Sequence, residues 1–211
     1  MKTIKLVSVT KRYGSKTILE NFSLEIEKGE FVALVGNSGC GKSTLLNIIG
    51  LLEDFEEGDL IIEDMNNIIP DSSMANKFLR EKIGYLFQNF ALVDDETVEY
   101  NISLALKYVR ANKKEKQVNI HKALEKVGLQ GYQKRKVYEL SGGEQQRVAL
   151  ARIFVKPCSI ILADEPTGSL DEKNRDIVLN LLKQLNESGK TVLLVTHDKY
   201  VASQCDRIVN M

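Results

Sequence analysis

The sequence lacks three features that would assign a chain of 211 residues to a particular class: an excess of charge, a long apolar run and paired cysteines. Lys and Arg together number 29, and Asp and Glu together also number 29. Proteins that bind nucleic acid through its phosphates usually carry a basic excess. The balanced charge therefore argues against a general nucleic-acid binder, and we expect no nucleic-acid partner.

Membrane segments and disulfides are also not indicated. The longest apolar runs, such as FVALVG and TVLLVT, have the length of a strand. The N-terminal segment MKTIKLVSVT alternates polar and apolar residues, so we expect neither a signal peptide nor a transmembrane segment. Cys40, Cys158 and Cys205 are far apart and odd in number, which indicates a reducing cytosol without disulfides or a zinc site.

The charges that are present are distributed unevenly. Ten Lys or Arg residues but only Glu115 and Glu125 lie between positions 107 and 136, whereas seven acids and no base lie between 53 and 64. Solvated helix faces and loops are the simplest interpretation of both stretches. For the basic stretch, a surface turned toward anionic lipid is a second interpretation.

Strand patterns alternate with helical patterns, which is typical of a parallel α/β core. The first thirty residues resemble strands, and residues 53–70 resemble an acidic turn with a short hairpin. Later apolar runs predict strands that are covered on both faces. The predicted strands are NFSLEIE (21–27), FVALV (31–35), KIGYLFQ (82–88), SIILAD (159–164) and TVLLVT (191–196).

Apolar residues at helical spacing predict helices between these strands. The helix after the glycine-rich loop at 36–41 has a core stripe formed by Leu45, Ile48, Ile49 and Leu52. A helix-rich insertion occupies roughly 92–140, with apolar positions at Val98, Ile102, Ala105, Leu106, Val109, Val118, Ala123 and Val127. A later helix ends near Gly189 and is marked by Ile177, Leu181, Leu182 and Leu185.

GNSGCGKST, at positions 36–44, matches the G-x-x-x-x-G-K-[ST] pattern of a phosphate-binding loop. Gly36 and Gly41 let backbone N–H groups approach phosphates without clashes from Cβ atoms. Lys42 can reach the β- and γ-phosphates, and the Ser43 hydroxyl can ligate Mg²⁺. Because a buried strand precedes the loop and an amphipathic helix follows it, the sequence predicts a nucleoside-triphosphate site.

Two carboxylates, Asp164 and Glu165, follow the predicted strand SIILA. Ligands bind at the carboxyl ends of strands in parallel sheets. Asp164 would hold Mg²⁺, and Glu165 would act as general base for an attacking water. Without the phosphate loop, a solvent-facing strand end would be an equal alternative. His197 follows the strand TVLLVT, where a lone histidine is usually structural.

LSGGEQ, at positions 140–145, is a second candidate anion site. A serine and two glycines precede a long segment with an apolar stripe, which is typical of a loop that opens onto a helix N-terminus. Such a terminus can hold an anion, because its N–H groups are unpaired and the helix dipole is positive there. The chain therefore contains two loops of this kind, and the second has no lysine of its own.

These motifs resemble those of the ATP-binding cassette (ABC) family over nearly the whole chain. LSGGEQQRVALARI looks like the ABC signature, and it precedes a Walker B segment, IILADEP, and a D-loop, PTGSLD. Tyr13 is similar to the A-loop aromatic, Gln88 to the Q-loop glutamine and His197 to the switch histidine. The resemblance implies one α/β domain over 1–211 with the P-loop NTPase fold. It would have a mostly parallel core sheet, an N-terminal antiparallel β subdomain and an inserted α-helical subdomain at roughly 92–140.

In the resembled family two cassettes pair head to tail, and each ATP lies between the phosphate loop of one and the signature loop of the other. The resemblance therefore implies an ATP-dependent homodimer that uses ATP and Mg²⁺. It assigns catalysis to Glu165, His197 and Gln88, and the metal to Ser43, Gln88 and Asp164. It assigns nucleotide binding to Tyr13, Gly36, Asn37, Ser38, Gly39, Cys40, Gly41, Lys42, Ser43, Thr44, Ser141, Gly142, Gly143, Glu144 and Asp171. For Tyr13, an aromatic packed on the β subdomain is the alternative.

GLLEDFEEGDL and ADEPTGSLD look like segments of the ATPases of macrolide-efflux, lipoprotein-release and antimicrobial-peptide transporters. These ATPases partner a separate integral-membrane subunit, so the resemblance implies a peripheral position on the cytoplasmic face of the membrane. It also implies export or extraction of a peptide, lipoprotein or drug-like substrate. No regulatory C-terminal domain is expected after the last predicted strand. The alternative is a non-transport ABC ATPase of the iron–sulfur assembly or cell-division type.

The segment after Gln88 is a candidate contact surface. Phe90, Leu92 and Val93 stand in a predicted connector, and exposed apolar residues in one place usually mark a contact. In the resembled family this connector and the helices after it receive the membrane subunit. The alternative is that Phe90 and Leu92 attach the helical insertion to the core.

Overall fold

The structure is a computed structural model that describes residues 2–211, and its strands form two sheets. The antiparallel sheet consists of β1 (Lys2–Tyr13), β2 (Lys16–Glu27), β4 (Glu57–Ile62) and β5 (Met65–Asn66), in the spatial order β2-β1-β4-β5. The other sheet consists of β3 (Phe31–Val35), β6 (Ile83–Leu86), β7 (Ile160–Asp164), β8 (Thr191–Val195) and β9 (Arg207–Asn210). Its order is β6-β7-β8-β3-β9, and every pair in it is parallel.

Seven α-helices connect or flank these strands in the described part of the chain. They are α1 (Lys42–Ile49), α2 (Ser73–Glu81), α3 (Val98–Ala105), α4 (Lys113–Lys126), α5 (Gly142–Val155), α6 (Glu172–Glu187) and α7 (Lys199–Ser203), with a 3₁₀ turn at Val137–Glu139. A side-chain oxygen caps the N-terminus of every one except α1. Between residues 2 and 211, no helix is both long and apolar enough to span a bilayer.

The parallel sheet separates two hydrophobic clusters, because successive side chains of a strand point to opposite faces. On β7, Ile161 and Ala163 belong to one cluster, and Ile160 and Leu162 belong to the other. The first cluster contains the apolar faces of α3, α4, α5 and α6. The second contains α1 and the inner face of the antiparallel sheet. The predicted α/β fold, with its parallel core sheet and N-terminal antiparallel sheet, is confirmed.

Most predicted elements are present, but three short ones were not predicted. The hairpin expected within 53–70 is the β4–β5 pair, and the insertion at 92–140 contains α3, α4 and the 3₁₀ turn. The elements that the sequence analysis did not predict are α2, α7 and β9. Each is short and partly exposed, so its apolar pattern covers too few residues to be distinguished from a loop.

Two residues predicted for buried helix faces are exposed, and those predictions were wrong. The helix α1 ends at Ile49, and Leu51 then adopts a φ of 56°. This turn directs Leu51, which is 2% exposed, into the core and leaves Leu52 45% exposed. On α4, Val118 is 45% exposed, because the buried face is formed by Ile120, Ala123 and Leu124.

The connector after Gln88 is less exposed than its sequence indicated. Phe90 and Leu92 are partly buried and pack against the cluster that contains the helical insertion. Arg152 of α5 also donates hydrogen bonds to the carbonyl oxygens of Phe90 and Ala91, both at 2.5 Å. Only Val93 of the three apolar residues is exposed. The expected exposure of Phe90 and Leu92 was therefore wrong, and the structure favours their role in attaching the insertion to the core.

The neighbouring leucines Leu51 and Leu52 provide a matched test of the turn that ends α1. We expect Leu51→Ala to lower the free energy of unfolding by about 2–5 kcal/mol, because it leaves a cavity in the core. Leu52→Ala should change it by less than about 0.5 kcal/mol, as is usual for exposed positions. Urea unfolding followed by circular dichroism measures both values. A larger loss for Leu52→Ala would show that α1 continues beyond Ile49.

Candidate nucleotide-binding site

A cavity of about 560 Å³ lies where several strands of the parallel sheet end. Its lining residues are Ile18, Ser38, Gly39, Gly41, Lys42, Ser43, Thr44, Gln88, Glu165 and His197. Apart from Ile18, all of them follow β3, β6, β7 or β8 in the chain. Because these strands are parallel, their carboxyl ends meet at one edge of the sheet, as expected for a ligand site.

The phosphate loop presents positive charge to this cavity. Gly41, the N-cap of α1, has a φ of 100° and no side chain that could cap the helix, so the first N–H groups of α1 are available to an anion. Lys42 is buried, and its ammonium donates to the carbonyl oxygens of Gly36 and Asn37, both at 2.9 Å. Between residues 2 and 211, Lys42 pairs with no carboxylate. The loop therefore combines a helix terminus with an unneutralised cation.

The glycines of this loop are required by close packing. A Cβ atom on Gly41 would lie 2.8 Å from Ile18 Cγ2 and 3.2 Å from the Ile18 carbonyl oxygen. A Cβ atom on Gly36 would lie 2.7 Å from Cys40 Sγ. Ile18 is the cavity residue that the sequence analysis missed. It lies in an alternating strand about twenty residues from the loop, and no local motif marks such a position.

Asp164 is suited to hold a cation. Burial raises the pKa of its carboxyl group, and the neighbouring Ser43 hydroxyl opposes this rise. Its Oδ1 atom is buried and has no hydrogen-bond partner within the described residues. Buried carboxylate oxygens without a partner are unfavourable unless a cation or donor satisfies them.

Residues 2–211 contain no group of three or more His, Cys, Asp or Glu side chains that could hold a metal. Any Mg²⁺ at this position would therefore need further oxygen ligands from phosphate or water.

Glu165 and His197 form a pair at the mouth of the cavity. The Glu165 Oε1 atom lies 3.1 Å from His197 Nδ1. Glu165 has a φ of 43°, which is unusual for a residue with a side chain and is common at functional sites. Its N–H donates to the Val195 carbonyl oxygen at 3.0 Å, which fixes the end of β7 against the end of β8. His197 therefore contacts the predicted general base and is not simply a packed core histidine.

The LSGGEQ segment forms a separate helix terminus that lies outside this cavity. Ser141 caps α5, and Ser141 and Glu144 form a reciprocal capping box at 3.3 Å and 2.8 Å. The N–H of Ser141 lowers the pKa of the Glu144 carboxyl group, to which Tyr132 also donates at 2.9 Å. No residue of the segment lines the cavity at the phosphate loop. Ser141, Gly142, Gly143 and Glu144 therefore cannot contact a nucleotide bound in this chain's own cavity. The contacts predicted for them require a nucleotide that is bound elsewhere, for example by a second copy of the chain.

Asp171 also lies outside the cavity and caps α6 in the structure. It accepts hydrogen bonds from the backbone N–H of Asn174 at 2.8 Å and from its side chain at 2.9 Å. Asn174 in turn accepts from Arg147 of α5 at 2.8 Å, and a Cβ on Gly143 would lie 2.7 Å from its side chain. Asn174 thus joins the D-loop to the signature helix. The sequence analysis missed it, because the contact spans about thirty residues.

Tyr13 lies beside the phosphate loop but does not line the cavity. Its hydroxyl donates to Glu53 Oε1, and its side chain is 50% exposed. The Thr44 hydroxyl of the phosphate loop is also close enough to influence the pKa of Tyr13. Its predicted contact with a nucleotide base therefore stays a prediction.

A family model described as ABC transporter matches residues 19–168. The chain belongs to the ABC transporter family. It is 42% identical over 208 residues to the macrolide export ATP-binding/permease protein MacB of Campylobacter jejuni. The aligned residues make up 99% of this chain and 32% of that MacB protein. It is 39% identical over 211 residues to the uncharacterized ABC transporter ATP-binding protein YvrO of Bacillus subtilis, of which it covers 92%. The chain thus spans about a third of the length of its MacB relatives.

Solved ABC cassettes have the same fold as this chain. The cassette MJ0796, in a dimeric structure, aligns with a TM-score of 0.91 and 43% identity over 99% of this chain and 94% of that one. A second structure of MJ0796 represents a post-hydrolysis state bound to ADP and Pi, and it aligns with a TM-score of 0.90 and 41% identity. The resemblance to ABC ATPases that the motifs indicated is confirmed.

Proposed function

We propose that this chain is an ATP-hydrolysing cassette that pairs with a second copy of itself around two ATP molecules. The observation that supports the proposal best is the separation of the two anion-binding helix termini. The phosphate loop and the carboxylates share one cavity, whereas LSGGEQ lies outside it. Two copies arranged head to tail would bring the signature loop of each copy to the phosphate loop of the other. The dimeric form of MJ0796 supports this arrangement.

ATP would bind through the N–H groups of the phosphate loop and the ammonium of Lys42. Lys42, Ser43 and Thr44 already line the cavity, so little of their freedom would be lost on binding. Glu165 would accept the proton of the attacking water as general base. His197, which holds one oxygen of the Glu165 carboxylate at 3.1 Å, would orient that base. Gln88 lines the same cavity and would contact the γ-phosphate side of the site.

The residues around Asp164 fit a magnesium ion. Mg²⁺ prefers oxygen ligands, and it would neutralise the charge on the β- and γ-phosphate oxygens when bound. Ser43, Gln88 and Asp164 would hold it. The buried Asp164 Oδ1 atom, which lacks a partner within residues 2–211, supports this assignment.

The signature loop would complete the site of the opposite copy. Alone it is a weak anion site, because it has no lysine and because Glu144 places a carboxylate at its capping box. With the γ-phosphate held by Lys42 of the other copy, Ser141 and the N–H of Gly143 would add further donors. Hydrogen bonds to a phosphate are charge-assisted and are stronger than neutral ones. ATP would therefore stabilise the dimer, and loss of the γ-phosphate would weaken it.

Removal of the general base tests both parts of this mechanism. Glu165→Gln should bind ATP and lower the hydrolysis rate by about 10²–10⁴-fold, which is the usual contribution of such a group. The variant should also accumulate as an ATP-bound dimer, because the γ-phosphate is not removed. ATPase assays and size-exclusion chromatography with light scattering measure the two effects. A variant that stays monomeric with saturating ATP and Mg²⁺ would contradict the paired arrangement.

Mixing two inactive variants tests whether each site uses residues of both copies. Lys42→Ala should lose ATP binding, whereas Ser141→Arg should bind ATP as a monomer but fail to hydrolyse it. A mixed dimer contains one intact site, formed by the phosphate loop of the Ser141→Arg chain and the signature loop of the Lys42→Ala chain. We therefore expect ATPase activity to appear on mixing. Its absence at every ratio would show that the sites are not shared or that both must act together.

We further propose that the cassette drives an integral-membrane subunit from the cytoplasmic face of the membrane, for export or extraction of a peptide, lipoprotein or drug-like substrate. MacB relatives are named as macrolide export ATP-binding/permease proteins, and this chain matches about a third of their length. A groove of about 370 Å³ between the parallel sheet and α3 would receive that subunit, and its lining includes Leu52, Phe87, Ala91 and Leu104.

The lining of this groove includes two basic side chains, Arg152 and Lys156. Neither forms an ion pair with a carboxylate among the described residues. Burial lowers the pKa of Lys156 and lowers that of Arg152 to about 10. Both side chains are half-buried, and Arg152 donates to the carbonyl oxygens of Phe90 and Ala91. The Lys156 ammonium has no such partner among the described residues, and a cation that is partly removed from water is stabilised by a counter-charge. The groove is therefore suited to an apolar segment that carries a carboxylate.

Charge reversal in the groove tests this contact. Lys156→Glu should abolish co-purification with an integral-membrane protein from detergent-solubilised native membranes, while the isolated chain keeps its ATPase activity. Lys122→Glu, which makes the same charge reversal at an exposed position of α4, is the matched control and should still co-purify. If the unchanged chain captures no integral-membrane protein, a non-transport ATPase would be favoured. If Lys156→Glu retains the membrane protein, the groove is not the contact surface.

A further inference from the structure

The acidic stretch after α1 surrounds a buried lysine of the antiparallel sheet. Lys11 is only 5% exposed, and its ammonium lies 2.9 Å from Asp54, 3.4 Å from Glu56 and 3.6 Å from Glu53. A buried ammonium needs such partners, because removal of a charge from water is costly. The acidic residues at this position are therefore not simply a solvated turn. They attach the segment that follows the phosphate-loop helix to the end of β1.

The same cluster holds the ring of Tyr13 at two points. The Tyr13 hydroxyl donates a hydrogen bond to Glu53, and the Lys11 ammonium lies 5.3 Å from the centre of the ring. Aromatic rings attract cations at this distance. The hydrogen bond to Glu53 is also the main cause of the raised pKa of Tyr13. Half of the Tyr13 side chain nevertheless stays exposed. The ring is thus held in one orientation while much of its surface remains accessible.

The Tyr13 ring lies next to a residue that lines the nucleotide cavity. Thr44 lines the cavity, and its hydroxyl is close enough to Tyr13 to oppose the rise of the Tyr13 pKa. Glu53 follows α1, the helix that begins at the phosphate loop, after only three residues. A single helix therefore connects the phosphate loop to the residue that holds the Tyr13 hydroxyl.

We propose that Glu53 and Lys11 are positioning residues for the base of the bound nucleotide, because together they fix the Tyr13 ring beside the phosphate loop. The proposal rests on the proposed ATP site. Glu53 accepts a hydrogen bond from the Tyr13 hydroxyl, and the Lys11 ammonium lies toward one face of the Tyr13 ring. The opposite face of that ring receives the adenine. An aromatic ring that is fixed before binding loses less freedom when a base stacks on it, so the stacked complex is more stable.

This role differs from simple stacking in what it predicts for the Tyr13 hydroxyl. Stacking alone needs only the ring, so Tyr13→Phe would bind ATP as well as the unchanged chain. If Glu53 positions the ring, Tyr13→Phe and Glu53→Ala should each weaken ATP binding by about three- to tenfold, as expected for loss of one hydrogen bond of ordinary net strength at a half-exposed side chain. The double variant should be no weaker than either single variant, because both changes remove the same bond.

Inorganic tripolyphosphate separates a contact with the base from a disturbance of the phosphate loop. It has the phosphates of ATP but no adenine. Isothermal titration calorimetry with Mg²⁺ should give unchanged tripolyphosphate dissociation constants for Tyr13→Phe and Glu53→Ala, alongside weaker ATP binding. Glu53→Gln keeps a hydrogen-bond acceptor and should recover most of the ATP affinity. Glu57→Ala removes the same charge from the same stretch but breaks only a contact with Arg12, so it should bind ATP normally.

Three outcomes would overturn the proposal. Glu53→Ala could bind ATP like the unchanged chain, or it could lose ATP and tripolyphosphate equally, which would show that its role is only to shape the loop. The double variant could also lose affinity as the sum of both changes, which would mean that the two residues act separately. If the unchanged chain binds neither ligand, the proposed ATP site itself fails. Glu53→Gln and Tyr13→Phe are conservative changes that keep Lys11 paired with Asp54 and Glu56, so the test does not depend on a variant that disrupts folding.

Discussion

The shared direction of β3, β6, β7 and β8 is the constraint on which the rest of this site depends. Each strand is hydrogen-bonded in parallel, so each delivers the residues after its last buried position to the same edge of the sheet. The phosphate loop, Gln88, Glu165 and His197 meet for this reason, although the loop and His197 are about 160 residues apart in the chain. The two hydrophobic clusters cover both faces of the sheet. The packing that buries both faces of the sheet therefore also fixes the strand ends that carry the site residues.

The two glycine-rich loops illustrate how helix termini with similar sequences differ in electrostatics. The α1 terminus has no side-chain cap and an adjacent lysine whose charge is not neutralised by a carboxylate. The α5 terminus is capped by Ser141 and carries the Glu144 carboxylate. Anions are stabilised by unpaired N–H groups and positive charge, so the first loop can bind phosphate alone. The second is suited to contribute donors to a phosphate that is already held, which explains why one small domain contains both.

Contacts between distant segments decide how the site residues are oriented. Asn174 links Asp171 of the D-loop to Arg147 of the signature helix, so these two segments are held together within one chain. Lys11 and Glu53 hold Tyr13 beside the phosphate loop in a similar way. In both cases a buried or half-buried polar group is satisfied by a partner that lies far away in the sequence. Such bonds restrict the positions of the loops and lower the entropic cost of ligand binding.

The sequence by itself determined the parts of this protein that depend on short-range patterns. Continuous apolar runs predicted most strands of the parallel sheet. The phosphate loop, the Walker B segment, the Q-loop glutamine and the switch histidine identified nearly every residue of the cavity. Local patterns could not determine where α1 ends. The left-handed backbone conformation of Leu51 buries that leucine and exposes Leu52, which the helical pattern had placed in the core. Only the tertiary structure decided that Ile18 closes the cavity, that Phe90 and Leu92 pack against the core, and that the acids at 53–56 surround Lys11. These features arise from contacts between residues that are distant in the chain, and the energy of such contacts depends on which surfaces the fold brings together.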